Sequence, residues 1–86
     1  MKFKCNLFSS DTYIMFIIYI KPNCTYSMKA LKLIVKKRLS HKIITIQSEE
    51  QRNVIKRKHN FYTFPQIFYH STFIGGYDNL RTYICN

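Results

Sequence analysis

The chain has 86 residues, room for one small hydrophobic core and too few for a second. With 47% hydrophobic residues, seven Phe and seven Tyr among them, disorder is excluded and a packed interior is required. Fourteen Lys and Arg against four Asp and Glu give a formal charge of +10, a field that attracts any anion without naming one; Ala occurs once and Gly twice, so biased residue usage accounts for part of the charge.

The first apolar run, "YIMFIIYI" from Tyr13 to Ile20, follows two early lysines. It is too short to span a bilayer, and "KPNCTYS" behind it lacks the small-x-small pattern at which a signal peptide is cleaved. Eight apolar residues without alternation predict a central strand buried on both faces. After Cys24, the spacing of Met28, Leu31, Val35 and Leu39 predicts an amphipathic helix from Thr25 to about Leu39, with Lys29, Lys32 and Lys36 on another face. Lys42 to Gln47, "KIITIQ", reads as a second strand.

Ser48 and Gln51 then stand at capping-box spacing with Glu49 and Glu50 in the first turn, which predicts a helix to about Arg57. "PQIFY" and "TFI" are short strands of a hairpin turning at His70 and Ser71. Gly75 and Gly76 interrupt the chain, and Asp78 leads a last helix toward Ile84. The order β-α-β-α-β-β-α, without repeats or linkers, predicts a single α/β domain over residues 1–86. Its mixed sheet carries helices on its faces, and residues 1–11 form an N-terminal extension.

Cys5, Cys24 and Cys85 are an odd number spread over the whole chain, a poor disulfide framework that suits a reducing compartment, the cytoplasm. Of the three, Cys24 sits at a strand-to-helix turn. A thiolate there is stabilised by free backbone N–H groups and the helix dipole, and nearby Lys21 adds to this. Such cysteines titrate at about 3.5–7.5 where an ordinary thiol has ~8.5. A lone cysteine read by itself is more often a small buried residue.

Three motifs in order change that balance: Cys24 at its turn, "TFP" opening a later strand, and "GGYD" after a short hairpin. Together they resemble the glutaredoxin family of the thioredoxin fold, from about Tyr13 to Leu80, with "TFPQIF" and "FIGGYDNL" the nearest stretches. The resemblance implies a four-stranded mixed sheet and glutathione as co-substrate. It implies a cis bond before Pro65, with Phe64 presenting its backbone to the cysteinyl part of glutathione and Thr63 beside it. Gly76 and the N–H groups of the helix opening at Tyr77 would take the γ-glutamyl carboxylate, and Asp78 the amine. Lys21 would face the glycyl carboxylate and Tyr26 line the groove. Arg52, or by another alignment Gln51, would reach the same carboxylate. Phe64 replaces the usual Val, and "HNFY" replaces the usual loop before the threonine.

Dithiol members carry Cys-Pro-Tyr-Cys, where this chain reads Cys24-Thr25-Tyr26-Ser27. Serine cannot close a disulfide, so a second glutathione must resolve the mixed disulfide on Cys24. The expectation is therefore a monothiol enzyme, monomeric, acting on glutathionylated proteins or small disulfides through Cys24 with help from Lys21. Monothiol members that transfer iron–sulfur clusters carry an insertion between lysine and cysteine that is missing from Lys21-Pro22-Asn23-Cys24. Thr25 in place of proline keeps a glutathione-ligated [2Fe–2S] carrier as the alternative. Cys85 falls where some relatives carry an extra cysteine. "KKR" and "KRK" raise a third class, a basic nucleic-acid or membrane module. His41, His59 and His70 form no metal pattern with the cysteines, and there is no RNA-binding aromatic motif, so neither nucleic acid nor membrane is the expected partner.

Overall fold

The computed structural model describes residues 15–85. The apolar run forms β1 (Phe16–Ile20), paired in parallel with β2 (His41–Thr45) on one side and antiparallel with β3 (Gln66–Tyr69) on the other; β4 (Thr72–Gly75) lies antiparallel beyond β3. The strand order is thus β2-β1-β3-β4, with helices α1 (Thr25–Lys36), α2 (Glu49–His59) and α3 (Tyr77–Cys85) following in the predicted sequence of elements. Residues 13 and 14 of the predicted first strand lie outside the described residues, as do Cys5 and the N-terminal extension.

Alternate residues of β1, Phe16, Ile18 and Ile20, are buried with Ala30 and Ile34 of α1, Leu39, Ile67 of β3, and Leu80 and Ile84 of α3. Ile17 and Tyr19 point to the other face and are half-buried, so the strand expected to be covered on both faces is fully covered on one. The reason is α2, which buries none of its residues. A hollow of about 750 Å³ between α2 and β2, lined by Tyr19, Ile44, Ile46 and Val54 among others, is what this sparse packing leaves.

The expected apolar face of α1 is one residue out of phase. Its buried residues are Ser27, Ala30 and Ile34, whereas Met28 and Val35, assigned to the core, are 49% and 61% exposed. Small Ser27 and Ala30 let the helix approach its neighbours closely, and reading only bulky apolar residues shifts the stripe. The helix also ends at Lys36 instead of Leu39. Arg38 turns to φ 58°, its N–H donates to the Val35 carbonyl at 3.0 Å, and the Leu39 N–H donates to Ile34 at 3.1 Å. These are the two bonds of a Schellman closure, which seals a buried Leu39 against the core.

Helix α2 begins as the sequence predicts. The Ser48 hydroxyl accepts the Gln51 N–H at 3.1 Å while the Gln51 side chain accepts the Ser48 N–H at 3.4 Å, a reciprocal capping box. Glu49 and Glu50 lie at its positive end and Lys56 to His59 at its negative end, each favoured by the dipole. The helix runs to His59, two residues beyond the predicted Arg57, and Asn60, at φ 53°, closes it, with the Phe61 N–H returning to the Lys56 carbonyl at 3.1 Å.

Candidate functional site

Pro22 and Asn23 turn the chain from β1 into α1, with Asn23 at φ 58°, a conformation its short polar side chain tolerates. Cys24 follows as the N-cap of α1, half-buried, with extended backbone and no side-chain capping bond. Its sulfur lies 3.7 Å from the carbonyl oxygen of Phe64, forty residues later in the chain. The Phe64–Pro65 bond is cis. Thiol and proline loop, two of the three separated motifs, therefore meet.

The third completes a groove of about 260 Å³ beside the cysteine. Tyr26 forms part of its wall, Phe61 and Thr63 to Pro65 a second part, and Gly76 to Asn79 the far end. Gly75 adopts φ 125°, and a Cβ there would fall 2.5 Å from Asn79 Oδ1. That oxygen accepts the Gly76 N–H at 3.0 Å, fixing the turn into α3. Of this pair only Gly75 uses the positive φ open to glycine; Gly76 has a Pro65 carbonyl oxygen 3.6 Å from where a Cβ would lie, ordinary contact.

The profile of the glutaredoxin family matches residues 16–74. The chain belongs to the glutaredoxin family. It is 41% identical to glutaredoxin 1 of Rickettsia bellii over 69 residues, covering 74% of this chain and 70% of that protein. To glutaredoxin 1 of Rickettsia prowazekii it is 36% identical over 67 residues, with the same coverage. In fold it is similar to glutaredoxin 1 of Francisella tularensis, with a TM-score of 0.76 at 23% identity over 80% of this chain and 90% of that one. A buckwheat glutaredoxin solved in complex with glutathione has a TM-score of 0.62 at 19% identity, covering 83% of this chain and 68% of its own.

Glutaredoxins are thiol–disulfide oxidoreductases, and Cys24 is the cysteine this fold sets against the cis-proline loop. Its ionisation is set by opposed influences. Burial, the largest of them, disfavours the charge; the Ser27 hydroxyl, the N–H groups of Ser27 and Tyr26, and the charge of Lys21 favour it and prevail, holding the thiol below its ordinary range. Ser27 Oγ is fully buried, and with the sulfur as a neutral thiol directed at Phe64 it has no hydrogen-bond partner. An ionised sulfur is the acceptor that this hydroxyl lacks, which explains why Ser27 both looks unsatisfied and promotes the thiolate.

Of the residues anticipated for glutathione, the fold gathers Tyr26, Thr63, Phe64, Pro65, Gly76, Tyr77 and Asp78 around one groove. Lys21 stands at the end of β1, close enough to Cys24 to act through its charge. Arg52 is not brought into the groove: its guanidinium donates to the Gln47 carbonyl at 3.1 Å, and the alternative, Gln51, is committed to the capping box. Among the described residues no three His, Cys, Asp or Glu side chains converge as metal ligands.

One pair escaped sequence reasoning. Gln66 is completely buried at the start of β3, and its amide nitrogen donates to the carbonyls of Phe61 at 2.7 Å and Thr63 at 3.3 Å. Its oxygen is thus turned to His59 Nδ1 at 2.7 Å, so that nitrogen carries the proton. The His59 ring in turn meets Tyr19 and Phe68 at centroid distances of 5.1 and 4.7 Å. Gln66 therefore ties the last turn of α2 to the loop that supplies Phe61, Thr63 and Phe64 to the groove. The only available signal was "HNFY", a departure from the usual loop.

Proposed function

We propose that this glutaredoxin reduces glutathione mixed disulfides by a monothiol route. The Cys24 thiolate attacks the glutathione sulfur of a mixed disulfide RS–SG. The RS–SG bond breaks as the Cys24–SG bond forms, and RS⁻ leaves to take a proton from solvent. A second glutathione, as its thiolate, attacks the glutathione sulfur of Cys24–SG, releasing oxidised glutathione and restoring the Cys24 thiolate. The sum is RSSG + GSH → RSH + GSSG: the incoming glutathione sulfur is oxidised from thiol to disulfide level as the R sulfur is reduced from disulfide to thiol, and the glutathione sulfur already in RS–SG stays at the disulfide level.

One observation carries this reading: the Cys24 sulfur lies 3.7 Å from the carbonyl oxygen of Phe64, a residue that lines an open groove of about 260 Å³ along which an extended peptide can be laid. In it the Phe64 backbone would pair with the cysteinyl unit. The free N–H groups at the start of α3 and the Gly76 turn would receive the γ-glutamyl carboxylate, Asp78 the amine, and Lys21 the glycyl carboxylate. The buckwheat relative's complex supports glutathione as occupant of this fold's groove. Ser27, buried and lacking a thiol, leaves resolution to a second glutathione.

The test is turnover of a glutathione–cysteine mixed disulfide coupled to glutathione reductase. Cys24→Ser should abolish it. Ser27→Cys should retain it and add reduction of a protein disulfide by an intramolecular step. Normal turnover by Cys24→Ser would refute the assignment, and intact protein-disulfide reduction by the native chain without glutathione would refute the monothiol route.

A further inference from the structure

A second hollow shares the Tyr77 wall of the glutathione groove. It measures about 270 Å³ and is lined by Lys29, Lys32, Lys36, Leu33 and Tyr77. The three lysines stand on the exposed face of α1, at spacings of three and four that place them in one row. Among the described residues none of them makes an ion pair. Half-buried Leu33 gives the hollow an apolar floor, and Tyr77 belongs to both grooves. Lys29 Nζ lies 5.0 Å from the Tyr26 ring centre and 5.9 Å from that of Tyr77, so the basic row begins where the redox groove ends.

We infer that this row receives an acidic stretch of the polypeptide whose glutathionylated cysteine is being reduced at Cys24. The inference rests on the glutathione-exchange reading above and adds to it the class of protein substrate. Its reach follows from helix geometry. Lys29 and Lys36 lie five and twelve residues past Cys24, about 7 and 18 Å along the axis at about 1.5 Å per residue. An extended substrate advances about 3.3 Å per residue, so its Asp or Glu residues fall about two to six positions from the cysteine. A nucleic acid is less well matched, because the row spans only about 10 Å and Asp78 borders the shared Tyr77 wall.

Charge pairs at an exposed surface are individually weak, and complementary charge acts mainly on encounter. Two glutathionylated peptides that differ only in Glu or Gln at positions two to six from the cysteine, in versions with these residues on either side, provide the test. At low salt at least one Glu version should show a kcat/KM about three- to tenfold above its Gln counterpart. The double variant Lys32→Gln/Lys36→Gln should lose this preference. The control Lys42→Gln/Lys58→Gln, which removes the same charge from exposed positions on β2 and α2, should keep it. All three proteins should turn over the glutathione–cysteine disulfide alike.

Equal rates on Glu and Gln peptides, or equal loss of preference in both double variants, would overturn the inference. The second result would assign the effect to overall charge. Inhibition by a short single-stranded oligonucleotide that requires Lys32 and Lys36, without any peptide preference, would overturn it in favour of a nucleic acid. Failure on the small disulfide as well would instead bring down the glutathione reading, and this inference with it.

Discussion

Replacing Gln66 by Met tests the proposed tie between α2 and the groove. Met keeps roughly the same length and volume but can neither donate to the Phe61 and Thr63 carbonyls nor accept from His59. Three hydrogen bonds of 2.7, 3.3 and 2.7 Å vanish at a fully buried position. A net hydrogen bond contributes about 0.5–1.5 kcal/mol, and a buried group left unpaired costs about 1–3 kcal/mol. The expected loss is about 2–4 kcal/mol, tempered by solvent that reaches the partly exposed partners. For a domain of this size each kcal/mol moves Tm by about 4–8 °C, so Tm should fall by about 8–32 °C. Urea unfolding followed by circular dichroism measures the same quantity independently. His59→Ala should cost less, since the two carbonyls keep their donor, and the double variant should fall short of the sum by about 1 kcal/mol because one bond is shared. In folded Gln66→Met, KM for the glutathione mixed disulfide should rise more than kcat falls, since Cys24 itself is untouched. A Tm within about 2 °C of the native protein, or strictly additive effects of the two substitutions, would refute the tie.

Other outcomes follow from the same contacts. The rate of Cys24 alkylation should titrate below the range of a free thiol, and Ser27→Ala and Lys21→Met should each move that titration upward; an unmoved profile in Ser27→Ala would remove the hydroxyl from the account. Because the folded thiol is the stronger acid, the unfolded chain binds more protons in the window between the two pKa values. The contribution of Cys24 to stability is therefore full above the ordinary thiol pKa and declines as pH falls through the folded one, a trend that Cys24→Ala should lack in urea unfolding at a series of pH values. Gly75→Ala forces a Cβ into Asn79 at φ 125° and should cost about 1–3 kcal/mol with a raised KM for glutathione substrates, read from melting and steady-state kinetics. Ser48→Ala removes one half of the capping box, and a drop of about 1 kcal/mol in urea unfolding is expected.

Local signals governed by short-range chemistry were legible. Ser48 and Gln51 announced the start of α2, the unbroken run ending at Ile20 announced the central strand, and His70, at φ 56°, turns the predicted hairpin. The groove's lining was legible through resemblance, because "TFP" and "GGYD" mark the loops that the fold brings together around it. Where side chains act through distant partners, the linear chain was silent. Nothing in Ser27 or Ala30 distinguishes a small residue on a packed face from one on a solvated face, so the phase of α1 was misread. Gln66 looks like any polar residue next to a proline until the fold places His59 and two carbonyls around it. Arg52 matched an alignment position, but a neighbouring carbonyl holds its guanidinium.

The shallow seating of α2 has a consequence for how the molecule comes apart. With no residue fully withdrawn from water, this helix relies on its two end closures and on the ring contacts of His59. Its amides should be the first of the helical ones to exchange with deuterium, through an opening less costly than global unfolding. Each such excursion carries His59 away from Gln66 and loosens the loop of Phe61 and Thr63, while the Cys24 turn stays anchored to the core by Ala30 and Ile34. The thiol would then outlast its own binding cleft on warming, leaving a temperature interval in which the sulfur still reacts but no longer chooses among disulfides.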